Sequence, residues 1–310
     1  VHVIVEMVRT HGSVPEINKE ATRSILLAVN LHSYVDSLLV YTLEMARKQQ
    51  AEIKLLYVEK AGKEQAWSLS GDKKQKNDEP VSPEIHEKAR DKLAEFNDEF
   101  RKIARRPEYQ NIDYNYCLMF GNPAKKILEV AQEANPDLLL MGAKNTEANG
   151  NKVLGHVSLE VAQKTNVPMI AVPREAYHPE GNELRILYAT DFYKTDFEAL
   201  ESLLNITSAF QVRVFYVHID LNGDSIAKYT RKLSTLSNQL QQNFTENHIE
   251  PHLIANKDLF TGIQEFVDLY KVNLIAFTSP KKSLFDKLLK PNNLKKMLYQ
   301  SNIPLFIFKG

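Results

Sequence analysis

The sequence predicts an α/β protein of two tandem domains, each built on an open, doubly wound parallel sheet. Two observations predict this fold: short apolar runs alternate with longer helical patterns, and the pattern occurs twice along the 310 residues. Parallel strands covered by helices on both faces form near-continuous apolar runs, because neither face meets water. Regular alternation of such strands with helices implies βαβ units with right-handed crossovers.

The first copy supplies the strands and helices of one complete unit. The strand runs, rich in Ile, Leu and Val, are ILLAV, IKLLYV, YNYCLMF, DLLLMG and PMIAVP. Helical patterns occupy residues 34–49, 82–104, 123–134 and 156–164. The helix at 82–104 has a strong start, since Ser82 can cap it, Pro83 suits its first turn and Glu84 complements its dipole.

The second copy repeats the first segment by segment. Three pairs of segments share one pattern of apolar and polar residues: 24–30 with 185–191, 52–60 with 211–219, and 121–142 with 257–278. Their offsets are 161, 159 and 136 residues, and the step from 161 to 159 predicts a connection two residues shorter in the second copy. Repeats of this kind define the architecture of a chain.

These observations predict the domain organisation. We expect an N-terminal extension at residues 1–23, a first domain at 24–176 and a second at 184–310. The polar stretch 61–81 is predicted to be a long loop. The opening segment VHVIVEMV has two interpretations: a strand or helical turn packed on the body, or the start of a fragment cut from a longer protein just after a membrane segment.

Composition favours a soluble cytoplasmic protein without a strong charge preference. Apolar residues make up 43% of the chain, and 39 basic residues balance 39 acidic ones. No overall field therefore attracts nucleic acid or an acidic membrane. The single cysteine, Cys117, excludes internal disulfides, and its position in a predicted strand favours a buried, inert thiol. No apolar run reaches the length of about 18 residues that a membrane span requires.

Glycines mark the candidate binding segment. Gly142 ends a predicted strand, and Gly155 precedes the helix that begins at His156. The start of a helix offers unpaired N–H groups and a positive partial charge, while glycine lets the backbone approach a ligand closely. This spacing could form a phosphate cradle at the carboxyl ends of the strands, but glycines also simply end strands. The residues alone leave both interpretations open.

Three motifs resemble the universal stress protein family. They are the spaced glycines, GNPAKKILEVA at 121–131 and the ending NVPMIAVP at 166–173, and the resemblance spans both copies, residues 24 to 310. It implies Rossmann-like domains and an adenine-nucleotide site. The family motif is Gly, two residues, Gly, nine residues, Gly, then Ser or Thr. Here Asn145 replaces the second glycine and His156 replaces the Ser or Thr.

The resemblance also implies which residues bind the nucleotide. The implied phosphate contacts are Gly142, Asn145, Gly155, His156, Val157 and Ser158. Asn30 occupies the position of the family's acidic residue near the adenosine, and Val58 would contact the base. Val58 could equally be plain core packing. His156 could donate to phosphate, better as a cation, or could lie on a loop that binds nothing.

The second copy departs from the motif in a different way. It has an acid, Asp191, after its first strand, but Thr278, Lys281 and Pro291 stand at the three glycine positions. Proline has no N–H to donate, and side chains narrow the approach to the backbone. We expect this copy to have lost the ligand and kept the scaffold. Its last thirty residues carry seven lysines, which form either a solvated face or a docking surface for an acidic partner or lipid headgroup.

No catalytic motif accompanies these features. The sequence has no nucleophile elbow, no metalloprotease helix motif and no lysine after a phosphate-binding glycine loop. We therefore expect a non-enzymatic regulatory protein of the universal stress type that binds ATP weakly through its first domain, with AMP or cyclic di-AMP as alternative ligands. The family resemblance adds the expectation of a homodimer. The alternative function is the cytosolic regulatory tail of a membrane transporter that senses ATP or cyclic di-AMP.

Overall fold

A computed structural model of the chain describes residues 23–31, 36–60, 82–143, 156–174, 176, 183–192, 195–221, 226–245, 248–278 and 302–308. The strands are β1 Ser24–Val29, β2 Glu52–Glu59, β3 Tyr114–Phe120, β4 Leu138–Gly142, β5 Met169–Val172, β6 Glu183–Ala189, β7 Gln211–Asp220, β8 His248–Ala255, β9 Leu274–Thr278 and β10 Leu305–Phe308. The helices are α1 Asp36–Gln49, α2 Pro83–Ala104, α3 Pro123–Ala134, α4 His156–Lys164, α5 Asp196–Ile206, α6 Ile226–Asn243 and α7 Leu259–Tyr270.

All ten strands form one open sheet. Its order is β3-β2-β1-β4-β5-β10-β9-β6-β7-β8, so each half has the same internal arrangement. Every neighbouring pair is parallel except β5 and β10, which pair antiparallel and join the halves. The predicted α/β fold with open parallel sheets is confirmed. The places where one domain ends and the next begins stay a prediction.

The strand register corrects one part of the predicted repeat. Ser24 of β1 lies opposite Glu52 of β2, and Arg185 of β6 lies opposite Arg213 of β7. Both residues of the first pair are related to those of the second by an offset of 161 residues. The predicted offset of 159 for the second strand is wrong, and so is the predicted shortening by two residues.

Helices cover both faces of the sheet and enclose two apolar cores. One core lies under α1, α2, α5 and α6, and the other under α3, α4 and α7. The first core runs through both halves of the sheet, from Ile25 of β1 to Leu274 of β9, with both side chains at most 1% exposed. Burial on both faces is the reason why the strand sequences are almost continuously apolar.

Capping residues set the starts of three helices. The side chain of Ser82 accepts a hydrogen bond from the Ile85 N–H at the start of α2, as its position predicts. Asn122 caps α3 through the Lys125 N–H at 3.0 Å, and Asp258 caps α7 through the Thr261 N–H at 2.8 Å. Each of these bonds satisfies a backbone donor that has no partner inside its helix.

Four further sequence predictions concern the opening segment, the long loop, membrane-spanning segments and the single cysteine. Residues 1–22 and 61–81, which include the opening segment and the predicted long loop, lie outside the described residues. Among the described helices, none combines the length and the hydropathy that a membrane crossing needs. Cys117 is half-buried on β3, and burial raises the pKa of its thiol, which therefore stays protonated at neutral pH.

Candidate functional site

The first half of the sheet has a topological switch point between β1 and β4. From β1 the chain runs outward through β2 to β3, then crosses back and continues through β4 to β5 in the opposite direction. The two strands are parallel neighbours, so their carboxyl ends lie at one edge of the sheet. The helices that follow them, α1 and α4, pack over different apolar cores. Doubly wound sheets bind ligands at such switch points.

Asn30 lies at the centre of this edge. The strand register continues past the last residue of β1 and places Asn30 beside Val58 on one side and Ala143 on the other. Neighbouring strands are about 4.8 Å apart, so a ligand lying across the edge can reach all three positions. Asn30 is exposed, whereas Val58 is only 8% exposed and packs in the core under α3 and α4. The core-packing interpretation of Val58 is therefore the one that its side chain supports.

The start of α4 is tied to the end of β4. The Ser158 hydroxyl donates a hydrogen bond of 3.0 Å to the Gly142 carbonyl oxygen, and its side chain is buried. A hydroxyl has one hydrogen to donate, so this bond uses the one that a phosphate would need. Val157 packs partly against the apolar core. Any phosphate contact from these two residues would therefore come from the backbone N–H groups of the first helical turn.

Gly142 has a packing role that the sequence did not suggest. Its φ angle is not positive, unlike that of Gly121, where φ is +134°. A Cβ atom added at Gly142 would lie 3.4 Å from Cδ2 of Leu38 on α1. Alanine would just fit at this distance, but a branched side chain would collide with Leu38. A Cβ on Gly142 would point toward α1. The absence of a side chain there therefore bears on helix packing at least as directly as on ligand binding.

In the second half, side chains fill the corresponding position. Thr278 takes the place of Gly142, and its hydroxyl donates to Asp196 Oδ1 at 3.0 Å. The Thr190 hydroxyl donates to the other carboxylate oxygen, and both threonines and Asp196 are at most 4% exposed. At the offset of 161 residues, Leu38 corresponds to Ala199, whose smaller side chain leaves room for this group. The second half thus replaces a glycine-helix contact by a buried polar network.

The polar network extends along the carboxyl ends of β6 and β7. His218 Nδ1 lies 2.8 Å from the Thr190 carbonyl oxygen and 4.0 Å from Asp191 Oδ1. A carbonyl oxygen only accepts, so Nδ1 of His218 carries the proton. The imidazole ring forms a cluster with Phe192 and Tyr229: its centroid lies 4.4 Å from each of them, and their own centroids are 6.0 Å apart. Sequence reasoning identified Asp191 but missed His218 and Asp196, because His218 is a single polar residue in a mostly apolar strand and Asp196, at the start of α5, resembles an ordinary cap.

Several predicted site residues lie outside the described part of the chain. Asn145 and Gly155 belong to this group, as do Lys281 and Pro291 of the second copy. The backbone of His156 begins α4, but its side chain is not described. The structure therefore brings together Asn30, Val58, Gly142 and the first turn of α4 at one edge, and the glycine-loop contacts stay predictions.

The sheet order and the parallel pairing place the chain among open, doubly wound α/β proteins. Residues 21–173 match the sequence model of the universal stress protein family. A universal stress protein from Methanothermobacter thermautotrophicus is 27% identical over 136 residues, which cover 44% of this chain and 86% of the relative. Residues 21–173 therefore belong to the universal stress protein family.

Two solved structures share the fold over nearly the whole chain. A universal stress protein from Archaeoglobus fulgidus is 18% identical with a TM-score of 0.62, and the match covers 92% of this chain and 96% of that one. The cytoplasmic domain of a prokaryotic cation chloride cotransporter is 10% identical with a TM-score of 0.50, and the match covers 92% and 95%. Both similarities concern the fold alone.

Proposed function

We propose that the chain binds an adenine nucleotide, ATP in the first instance, at the carboxyl edge of the first half of the sheet. The observation that carries the proposal is the switch point between β1 and β4, where exposed Asn30 lies between two neighbouring strands and the first turn of α4 is tied to the end of β4. Asn30 would hydrogen-bond the ribose or base, and the first turn of α4 would take the phosphates through its N–H groups.

The contrast with the second half supports one site in each chain. There the position of Gly142 is taken by Thr278, whose hydroxyl is committed to buried Asp196. Asp191, the counterpart of Asn30, lies 4.0 Å from His218, whose ring is clustered with aromatic side chains. This half supplies rigidity to the continuous sheet, and the first half supplies the ligand edge.

Thermal melting with ATP, AMP and cyclic di-AMP tests the proposal. A ligand that binds only the folded state raises its stability by about 2.7 kcal/mol at a concentration one hundred times its Kd. Asn30→Ala removes one hydrogen bond of about 1 kcal/mol and should weaken binding roughly fivefold. The matched variant Asp191→Ala alters the corresponding position of the second half and should leave the ligand-induced shift intact.

Two results would contradict the proposal. One is a melting temperature that none of the three ligands raises at millimolar concentration. The other is a shift that survives Asn30→Ala and disappears in Asp191→Ala, because that result would place the ligand in the second half.

We also propose that the protein acts by binding rather than by catalysis, as a regulatory protein in the cytoplasm. Beside the switch point lie the amide of Asn30 and the hydroxyl of Ser158, which is already committed to Gly142. An amide and a committed hydroxyl supply neither a nucleophile nor an acid–base pair. The expected outcome is that ATP incubated with the protein stays intact while it binds, and steady phosphate release would overturn this part of the proposal.

A second candidate function is the regulatory cytosolic domain of a membrane transporter. The observation that favours it is the shared fold with the cotransporter domain, nearly all of which is matched by this chain. The genomic reading frame tests it. Apolar spans encoded upstream of Val1 would support a transporter domain, and a start codon immediately before Val1 would eliminate it.

A further inference from the structure

The ten-stranded sheet has two edges that differ sharply in how they receive another strand. Among the described residues, β3 pairs only with β2, and β8 pairs only with β7. Each edge strand therefore directs every second backbone N–H and C=O away from the sheet. Natural edges are commonly blocked by proline or by charged side chains, since an open edge pairs readily with another chain.

The β8 edge is blocked. The Asn256 N–H donates to the Asp220 carbonyl at 3.2 Å, which fixes the alternation along the strand and directs Pro251 outward. Proline has no N–H, so the middle of this edge lacks a donor. Charged groups surround it as well, since Glu250 of β8 lies 3.7 Å from Arg213 and 2.8 Å from His248.

Within the described part of the chain, the β3 edge is open. The Ile53 N–H donates to the Asp113 carbonyl at one end, and the Gly121 N–H donates to the Glu59 carbonyl at the other, both at 2.9 Å. With the parallel register between β2 and β3, these bonds direct the backbone N–H and C=O groups of the even-numbered residues away from β2. These residues are Tyr114, Tyr116, Leu118 and Phe120. The strand YNYCLMF has no proline, no glycine and no charged residue. It carries none of the features that protect β8.

We propose that the β3 edge is a dimer interface, at which β3 of a second copy of this chain pairs antiparallel across a two-fold axis. An uncharged strand meets its own copy without like-charge repulsion. Full overlap of Tyr114–Phe120 with itself places Tyr116 opposite Leu118 and Tyr114 opposite Phe120. All four outward residues then form hydrogen-bonded pairs, and each pair exchanges two backbone bonds. Aromatic and apolar cross-strand pairs add to the stability.

This register has a consequence for the single cysteine. Cys117 is the central residue of β3, so the axis places it opposite Cys117 of the second copy. Its own N–H and C=O face β2, so the two cysteines form a non-hydrogen-bonded pair, whose Cα atoms are about 4.5 Å apart. That distance lies within the range of about 4.4–6.8 Å that a disulfide bridges. Cys117 is thus a built-in probe of the interface.

The test combines sedimentation velocity with oxidation by diamide, which takes up the two protons and two electrons that the two thiols lose. Oxidation is done at mildly alkaline pH, because burial raises the pKa of Cys117. We expect the full chain to double its mass with concentration and to form a covalent dimer on a non-reducing gel. Cys117→Ser should lose the covalent dimer and keep the concentration-dependent one.

Two matched variants locate the interface. Tyr116→Pro removes an outward N–H, as Pro251 does in β8, whereas Tyr116→Val loses the same ring but keeps the N–H. Dimerisation and cross-linking should persist in Tyr116→Val and disappear in Tyr116→Pro, with melting curves verifying that both variants fold. A chain that stays monomeric overturns the proposal. A dimer that survives Tyr116→Pro, or that does not cross-link through Cys117, assigns the contact to another surface and overturns it as well.

Discussion

At the scale of single residues, the two halves of the sheet solve one packing problem in two ways. At the end of β4, a Cβ on Gly142 would come within 3.4 Å of Leu38 on α1, whereas Thr278 at the end of β9 is buried against Asp196 of α5. The small residue in one half and the polar residue in the other each face the helix that packs above them.

The packing account predicts a coupling between Gly142 and Leu38. Gly142→Thr should lower the free energy of unfolding by about 2 kcal/mol, because the added branch overpacks against Leu38. In a Leu38→Ala background the same change should cost much less, since the truncated side chain leaves room. Urea unfolding of the two single variants and the double variant measures the coupling. Additive costs would show that the two residues do not compete for the same space.

At the scale of elements, α3 and α7 are built alike down to their ends. Each begins at a side-chain cap, and each ends at a non-glycine residue in the left-handed region, Asn135 with φ of 40° and Lys271 with φ of 54°. Asparagine tolerates this conformation, whereas a lysine there costs energy that glycine would avoid. The last turn of α7 is therefore the less stable of the two.

This difference can be measured with one pair of substitutions. Lys271→Gly should raise the free energy of unfolding by about 1 kcal/mol, because glycine adopts the left-handed conformation without a Cβ penalty. Asn135→Gly should change it by less. The midpoints of urea unfolding compare the two. An equal gain in both variants, or a loss in Lys271→Gly, would contradict the argument.

The elements were predictable from the sequence where burial on both faces left a clear apolar run, as in β1, β2 and β4. The offset of the second strand was not, because a shift of two residues keeps every side chain on the same face of the sheet. The apolar pattern is therefore compatible with 159, and the backbone register is what establishes 161. The sequence also placed Asn30 and Gly142 at one edge, but it could not show that Gly142 faces α1 or that Thr278 and Asp196 meet.

At the scale of the whole molecule, the antiparallel pairing of β5 with β10 makes one sheet of the two halves, and both apolar cores cross the junction. Lateral contacts reinforce it: Arg23, before β1, donates to the Asn205 carbonyl of α5 at 2.8 Å. Strands that would otherwise form edges are buried inside the molecule. The outer edges at β3 and β8 are the ones left for contacts with other chains among the described strands.

Five tyrosines buried in this continuous structure predict how it responds to alkali. These residues are Tyr41, Tyr57, Tyr109, Tyr188 and Tyr216. The pKa of each lies above the ordinary value of 10.0, and burial is the largest cause of the increase. A group whose folded pKa is raised stabilises the fold fully below its unfolded pKa and loses that contribution as the pH rises toward the folded value. Stability should therefore fall above pH 10.

Tyrosinate absorbance and circular dichroism recorded together test this prediction. The five buried tyrosines should ionise only as the secondary structure is lost. Ionisation of all the tyrosines near the ordinary value of 10.0, with the fold intact, would contradict the burial that the structure assigns to them.

Isothermal titration calorimetry with ATP tests the central claim most directly, because it counts sites as well as detecting binding. The account predicts one nucleotide for each chain, bound more weakly by Asn30→Ala and unchanged by Asp191→Ala. Two nucleotides for each chain, no measurable heat, or binding that depends on Asp191 instead of Asn30 would contradict it.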